Sequence, residues 1–191
     1  KRRTPQHGRK SQRQIIPNRV SISERPAEVG LRTTIGHWEG DSIIYTEKQA
    51  INSLLERKSR YTVLTKLDRK TAKQTKLAVI TKLAKHHCFS LTLDNGTENI
   101  QHEEIATSLD LKVYFCHPYH SWEKGSVENI NGCVRRYFPR GSSLREVSQQ
   151  DLDDVAWELN NRPRKVLGYA TPTEVLESEY MKLDVAVRMR M

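Results

Sequence analysis

Ile35-Gly36-His37-Trp38-Glu39-Gly40-Asp41-Ser42-Ile43-Ile44-Tyr45 is the first of three strand-like runs, and the lengths of the links between them decide how it is used. Ala50 to Arg57 and Tyr61 to Leu67 come after short polar segments containing Glu47, Lys48, Lys58 and Ser59. Connections that short predict antiparallel neighbours. Downstream the periodicity changes. Thr71-x-x-Gln74 reads as a capping box opening a helix, with Leu77, Ile80, Leu83 and Ala84 at helical spacing and an end near His86 and His87. Phe89 to Asp94 is a fourth strand, Glu103 to Leu109 a short helix and Leu111 to Cys116 a fifth strand.

Helical crossovers between strands three, four and five make the later strands parallel. With strand four beside strand one and parallel to it, Asp41 and Asp94 are neighbours on adjacent strands. The fold class expected is therefore α/β, an RNase H-like five-stranded mixed sheet flanked by helices. The initial antiparallel run favours it over a doubly wound sheet. After the fifth strand, Ser121 to Phe138 predicts a helix with Val127, Ile130 and Val134 on one face and Glu128, Asn131 and Arg135 close together on another. Ser148-x-x-Asp151 opens a further helix carrying Leu152, Val155, Ala156 and Leu159, which stops at Asn160-Asn161-Arg162-Pro163. Thr171-Pro172-Thr173-Glu174 supplies an N-cap, a proline at the first helical position and an acid at the third.

Aspartate at a strand end usually serves a turn, and Asp94-Asn95-Gly96 is a strong turn former. A glutamate on an amphipathic helix is usually only solvated. The joint placement of Asp41, Asp94 and Glu128 is what points to a metal site. Magnesium takes oxygen ligands and keeps several waters, leaving positions for phosphate. Two such ions can activate a nucleophile and stabilise a leaving 3′ oxygen. The expected cofactor is thus Mg²⁺ or Mn²⁺, as two ions, with Glu39 and Glu98 as candidates for the surrounding shell. His37 and Trp38 read as packing residues and His86-His87 as a helix end. His117 and His120 read as loop residues close to the key helix.

A net charge of +9 over 191 residues favours a polyanionic partner. Cys88, Cys116 and Cys133 are odd in number and lack Cys-x-x-Cys spacing, so they read as reduced thiols of a cytoplasmic protein. No apolar run approaches a membrane span, so no membrane partner is expected. Residues 1–14 are expected to be a basic flexible arm, with six Lys or Arg between Lys1 and Arg13. Residues 15–34 form a lead-in containing Ser21-x-x-Glu24, 35–176 the catalytic core, and 177–191 a tail. Val185, Val187, Met189 and Met191 alternate with Arg188 and Arg190, so the tail is expected as a terminal strand or an oligomer contact. Starting at Lys1, the sequence reads as a fragment, a processed chain or a trimmed one.

His37-Trp38-Glu39-Gly40-Asp41, Leu93-Asp94-Asn95-Gly96-Thr97-Glu98, the Tyr119 to Asn131 segment, Arg135-Arg136-Tyr137-Phe138-Pro139-Arg140-Gly141, Leu159 to Lys165, Gly168-Tyr169 and Thr171-Pro172-x-Glu174-Val175 resemble the integrase-core signatures of the IS-thirty family of bacterial insertion-sequence transposases. The resemblance covers about Ile16 to Leu176. It places the family's Asp-Asp-Glu triad on Asp41, Asp94 and Glu128, with 33 residues between the last two. It implies a retroviral-integrase-like core performing metal-dependent 3′-end cleavage and strand transfer on double-stranded DNA, both element ends and target, as a homo-oligomer. Asn131, Arg135, Arg136, Arg140, Arg162, Arg164 and Lys165 are then the candidates for DNA contact. The family's N-terminal helix-turn-helix has no counterpart before Ile15. Two other readings use the same residues: a metal-dependent nuclease that cuts without joining, and a truncated copy that binds DNA or the intact enzyme as an inhibitor.

Overall fold

The computed structural model describes residues 16–118 and 120–188, and the basic arm expected over 1–14 lies outside them. The elements in chain order are α1 (Ala27–Leu31), β1 (His37–Ile44), β2 (Ala50–Glu56), β3 (Thr62–Leu67), α2 (Ala72–Leu83), β4 (Ser90–Leu93), α3 (His102–Leu109), β5 (Lys112–Phe115), α4 (Gly125–Tyr137), α5 (Gln149–Asn160) and α6 (Pro172–Arg188). The sheet order is β3-β2-β1-β4-β5. β1 and β3 are antiparallel to β2, while β4 is parallel to both β1 and β5. The β1–β4 ladder ends with Glu39 opposite Thr92. Two residues further, the same register brings Asp41 level with Asp94.

Strand alternation divides the core into two layers. Trp38, Leu54, Leu91 and Phe115 pack on one face of the sheet with Val79 and Leu83 of α2 and Ile105 of α3. Ile43, Ile51, Leu55 and Leu64 pack on the other with Val127, Ile130 and Val134 of α4 and Leu152, Ala156 and Leu159 of α5. Glu39 and Asp41 share strand parity with Ile43, so their side chains face α4.

The buried face of α2 differs from the expected stripe. Thr75, Ala78, Val79 and Leu83 face inward, whereas Leu77 is 62% exposed. Small residues at Ala78 and Thr75 let the helix lie close to the sheet, which turns Leu77 outward. The Thr71 side chain caps Gln74 N, but the Gln74 side chain accepts from Arg69 N, so the box closes one turn outside the helix. The Ser148–Asp151 box forms in full. The tail is helical through Arg188, so of the terminal strand or oligomer contact expected there the strand does not form. Leu176 is buried and Tyr180 meets His86 and His87, so contacts along the first turns carry α6 onward in place of the alternating pattern. No helix among the described residues is long and apolar enough to cross a membrane.

Both outer strands find backbone partners outside the sheet. On β3, Asn160 accepts from Thr62 N and donates to Thr62 O, each at 2.8 Å, while Gln149 accepts from Lys66 N and donates to Leu64 O. Two side chains at opposite ends of α5 thus satisfy four of the backbone groups that an outer strand leaves unpaired. On β5, Phe115 N donates to Val20 O. Asn160→Ala leaves a buried N–H and a buried C=O without partners, and at about 1–3 kcal/mol per group it should lower stability by about 2–4 kcal/mol in urea titration.

Candidate active site

The acids come together because α4 is moored to β1. Glu39 is wholly buried; one carboxylate oxygen accepts from Arg57 at 2.6 Å and the other from Val127 N at 3.0 Å. That second bond satisfies a donor in the first turn of α4, where a negative charge is favoured. Burial pulls the Arg57 guanidinium down to about 10, against the raising effect of Glu39.

One turn along, Asn131 Nδ2 donates to Asp41 Oδ2 at 2.7 Å, and Asn131 Oδ1 accepts from Ser53 Oγ at 2.6 Å. Asn131 is 1% exposed, so the surface contact with DNA expected for it is not what the structure shows. The helix face carrying Glu128, Asn131 and Arg135 rolls partly onto the sheet, and Asn131 sits beneath it as the residue that orients Asp41.

Asp94 keeps its turn role and also faces the cleft. Its Oδ1 accepts from Asn99 Nδ2 at 2.9 Å and Gly96 N at 3.3 Å. A Cβ at Gly96 would displace the Glu98 carboxylate from its place beside the turn. Glu98 itself is buried and paired with Lys70 at 2.5 Å. Asp41, Asp94, Glu98, Lys124 and Glu128 line one open cleft of about 560 Å³, with Glu128 exposed.

Lys124, just before α4, is the residue that sequence reading missed. It is 3% exposed, and its Nζ donates to Gly40 O at 2.9 Å and lies 3.4 Å from Asp41 Oδ1 and 3.8 Å from Asp94 Oδ2. Burial pulls its ammonium down, but Asp94 and Asp41 more than offset this and it titrates above the ordinary lysine value. In sequence it is one lysine in a polar turn, and only the three-dimensional placement marks it. Among the described residues no group of three or more His, Cys, Asp or Glu is gathered as a metal-holding cluster. The donors are nonetheless hard oxygens of the kind divalent cations take. A cation, Lys124 Nζ, already lies between two of them.

The basic candidates fall into separate groups. Arg136, Arg140 and Lys165 are exposed, and Arg135 is half-buried. Arg162 is held by Glu158 and Tyr137, while Arg164 donates to Leu159 O. His117 is held by Glu123 at 2.7 Å in the loop before α4. Trp38 is fully buried, with its Nε1 on His87 O, and His37 is hydrogen-bonded to Ser90, so both pack as expected. Cys88, Cys116 and Cys133 are free, and burial pushes the first two thiols up to about 12.

In sequence the chain is 42% identical over 176 residues to the transposase InsI for insertion sequence element IS30A of Escherichia coli, covering 90% of this chain and 46% of that protein. It is 44% identical over 165 residues to the transposase for IS4351 of Bacteroides fragilis, covering 85% and 51%. Over this matched region the chain is similar to transposases of the IS30 family. It spans about half the length of those relatives. No family model matches it. The catalytic core domain of BIV integrase superposes with a TM-score of 0.59 at 22% identity, over 78% of this chain and 98% of that one. The fold of the chain is therefore RNase H-like, of the retroviral-integrase kind, as its strand order predicts.

Two substitutions test the architecture of the cleft. Glu39→Gln keeps an acceptor for Val127 but strands the buried Arg57 charge, and should cost about 3–5 kcal/mol of unfolding free energy. Lys124→Met keeps the volume of the stem and removes the cation between Asp41 and Asp94. A loss of about 3 kcal/mol is expected, and an unchanged urea midpoint would show that the ammonium contributes nothing to holding the acids.

Proposed function

We propose that this chain is the catalytic part of an insertion-sequence transposase, which cuts double-stranded DNA at an element end and joins the freed 3′ end to a target by metal-dependent phosphoryl transfer. The observation that carries this reading is the convergence of Asp41 from β1, Asp94 from just beyond β4 and Glu128 from α4 on one cleft, in a chain similar to IS30-family transposases.

Asp41, Asp94 and Glu128 would hold a divalent cation, Mg²⁺ or Mn²⁺. When bound, the ion supplies electrostatic stabilisation of the charge that builds on the phosphoryl oxygens. The protein's own residues do the positioning. Asn131 and Ser53 fix the Asp41 carboxylate through 2.7 Å and 2.6 Å bonds, and Asn99 fixes Asp94. Glu39 holds the turn of α4 that carries Glu128. Lys124, lying between the two aspartates, offsets part of their charge and holds them in place. Glu98, neutralised by Lys70, borders the cleft without adding a free charge. Exposed Arg136, Arg140 and Lys165 would take backbone phosphates, which position the duplex without reading its sequence. Such a protein acts in the bacterial cytoplasm on DNA, with two copies serving the two ends of an element.

The test uses labelled duplex and supercoiled plasmid in Mg²⁺, Mn²⁺ and EDTA, with the parent beside Glu128→Gln. Nicking or joining by the parent in metal is expected, absent in EDTA. The variant should lose more than the roughly 10–100-fold typical of an outer-shell metal partner, while still binding DNA. Joined products select the transposase over a nuclease. DNA binding without any metal-dependent cutting selects the inhibitory copy, and equal cutting by parent and variant removes Glu128 from the site.

A further inference from the structure

Across α4 from the acidic cleft lies a second cavity, of about 310 Å³, lined by Arg32, Arg60, Arg164, Ser126 and Asn129 with no acid in its wall. Arg32 Nη2 and Arg60 Nη1 both donate to Ser126 Oγ, at 3.0 Å and 2.6 Å. Two guanidiniums thus share one neutral oxygen. A third, Arg164, lines the same cavity, and its Nε–H is buried without an acceptor among the described residues. The nearby carboxylates are committed elsewhere, Glu39 to Arg57 and Glu56 to Ser59. Burial lowers the affinity of Arg60 for its proton, and Arg32 and Arg164 push the same way. Such a cluster is short of one anion.

The backbone adds a separate observation. Arg32 and Arg60 have φ of 57° and 65°, in the left-handed region where glycine is the least strained residue. Both arginines therefore adopt a backbone conformation that costs a residue with a side chain, and both aim at Ser126.

The two cavities are separated by one turn of α4. Lys124 and Glu128 face the acidic one, while Ser126 and Asn129 face the basic one. A helix is about 10–12 Å across, so a DNA strand laid over this turn would span both within a few nucleotides. We propose that Arg32, Arg60 and Arg164 form a phosphodiester-binding subsite that grips the DNA backbone a few nucleotides from the reacting bond and sets its register in the acidic cleft. This rests on the DNA-processing function proposed above.

The subsite is tested by fluorescence anisotropy on a short labelled duplex across a salt series, with thermal unfolding of each protein in parallel. Arg32→Gly/Arg60→Gly should bind about tenfold more weakly at low salt, and its log–log salt slope should be shallower by about 1–2 units, because phosphate contacts are lost. Its thermal midpoint should hold or rise, since glycine suits both φ values. Ser126→Asp places a carboxylate between Arg32 and Arg60 in the first turn of the helix, and should raise the midpoint while weakening DNA binding. Opposite signs in the two readouts are not expected of a structural role. Lys73→Gln/Lys85→Gln removes the same charge from and just beyond α2, on the other side of the sheet, and should change the slope less. Slopes of the arginine variant equal to those of the parent or of the lysine control overturn the subsite alone, as does undiminished binding by Ser126→Asp. A parent that shows no salt-dependent binding overturns the DNA reading and the subsite with it.

Discussion

A buried carboxylate, Glu39, couples the sheet to the helix that completes the cleft. Its two oxygens answer to different parts of the chain, Arg57 beyond the end of β2 and the Val127 amide in α4. Each bond restrains the other. Desolvating a lone carboxylate would be prohibitive, so Glu39 tolerates burial only while Arg57 and α4 are both in place. The angle at which α4 meets β1 is thereby limited, and with it the position of Glu128 opposite two strand ends that the sheet topology has already aligned.

Given that alignment, the carboxylates create their own difficulty. Parallel pairing of β1 and β4 makes Asp41 and Asp94 neighbours, and like charges in a partly dry cleft repel. Lys124 answers this from within the chain, anchored at Gly40 O so that its ammonium stays between the two. Neutral donors from Asn131 and Asn99 spread the remaining charge. The result is an acidic cleft that is locally neutralised on the strand side and open on the Glu128 side.

Much of this was legible in sequence because it rests on periodicity and connection length. Short links among the first three strands and helical crossovers among the rest gave the strand directions, and with strand four set beside strand one Asp41 and Asp94 became neighbours. The Ser148 box and Thr171-Pro172 marked α5 and α6. The hidden part depended on contacts between distant residues. Leu77 has the right spacing for a core position, yet the small Ala78 and Thr75 draw that side of α2 inward. Asn131 and Glu128 lie near one face on a helical wheel, but the wheel cannot say how far the helix rolls onto its sheet. Lys124 looks solvated until Gly40 and two aspartates are brought around it. Arg32 and Arg60 are 28 residues apart in sequence, and nothing local announces their left-handed backbones or their common target. In the tail, alternating apolar residues imitate a strand inside a helix.

The side chains of Asn160 and Gln149 on β3, together with the Val20 carbonyl on β5, have a consequence for crowding. Copies that gather on neighbouring stretches of DNA meet at effective concentrations of about millimolar, where a free row of amides would recruit the next molecule and grow without limit. With these groups occupied from within the chain, β3 and the Phe115 end of β5 are poorer templates for strand addition. Growth by edge-to-edge pairing is thereby disfavoured at the ends of the sheet where those groups lie.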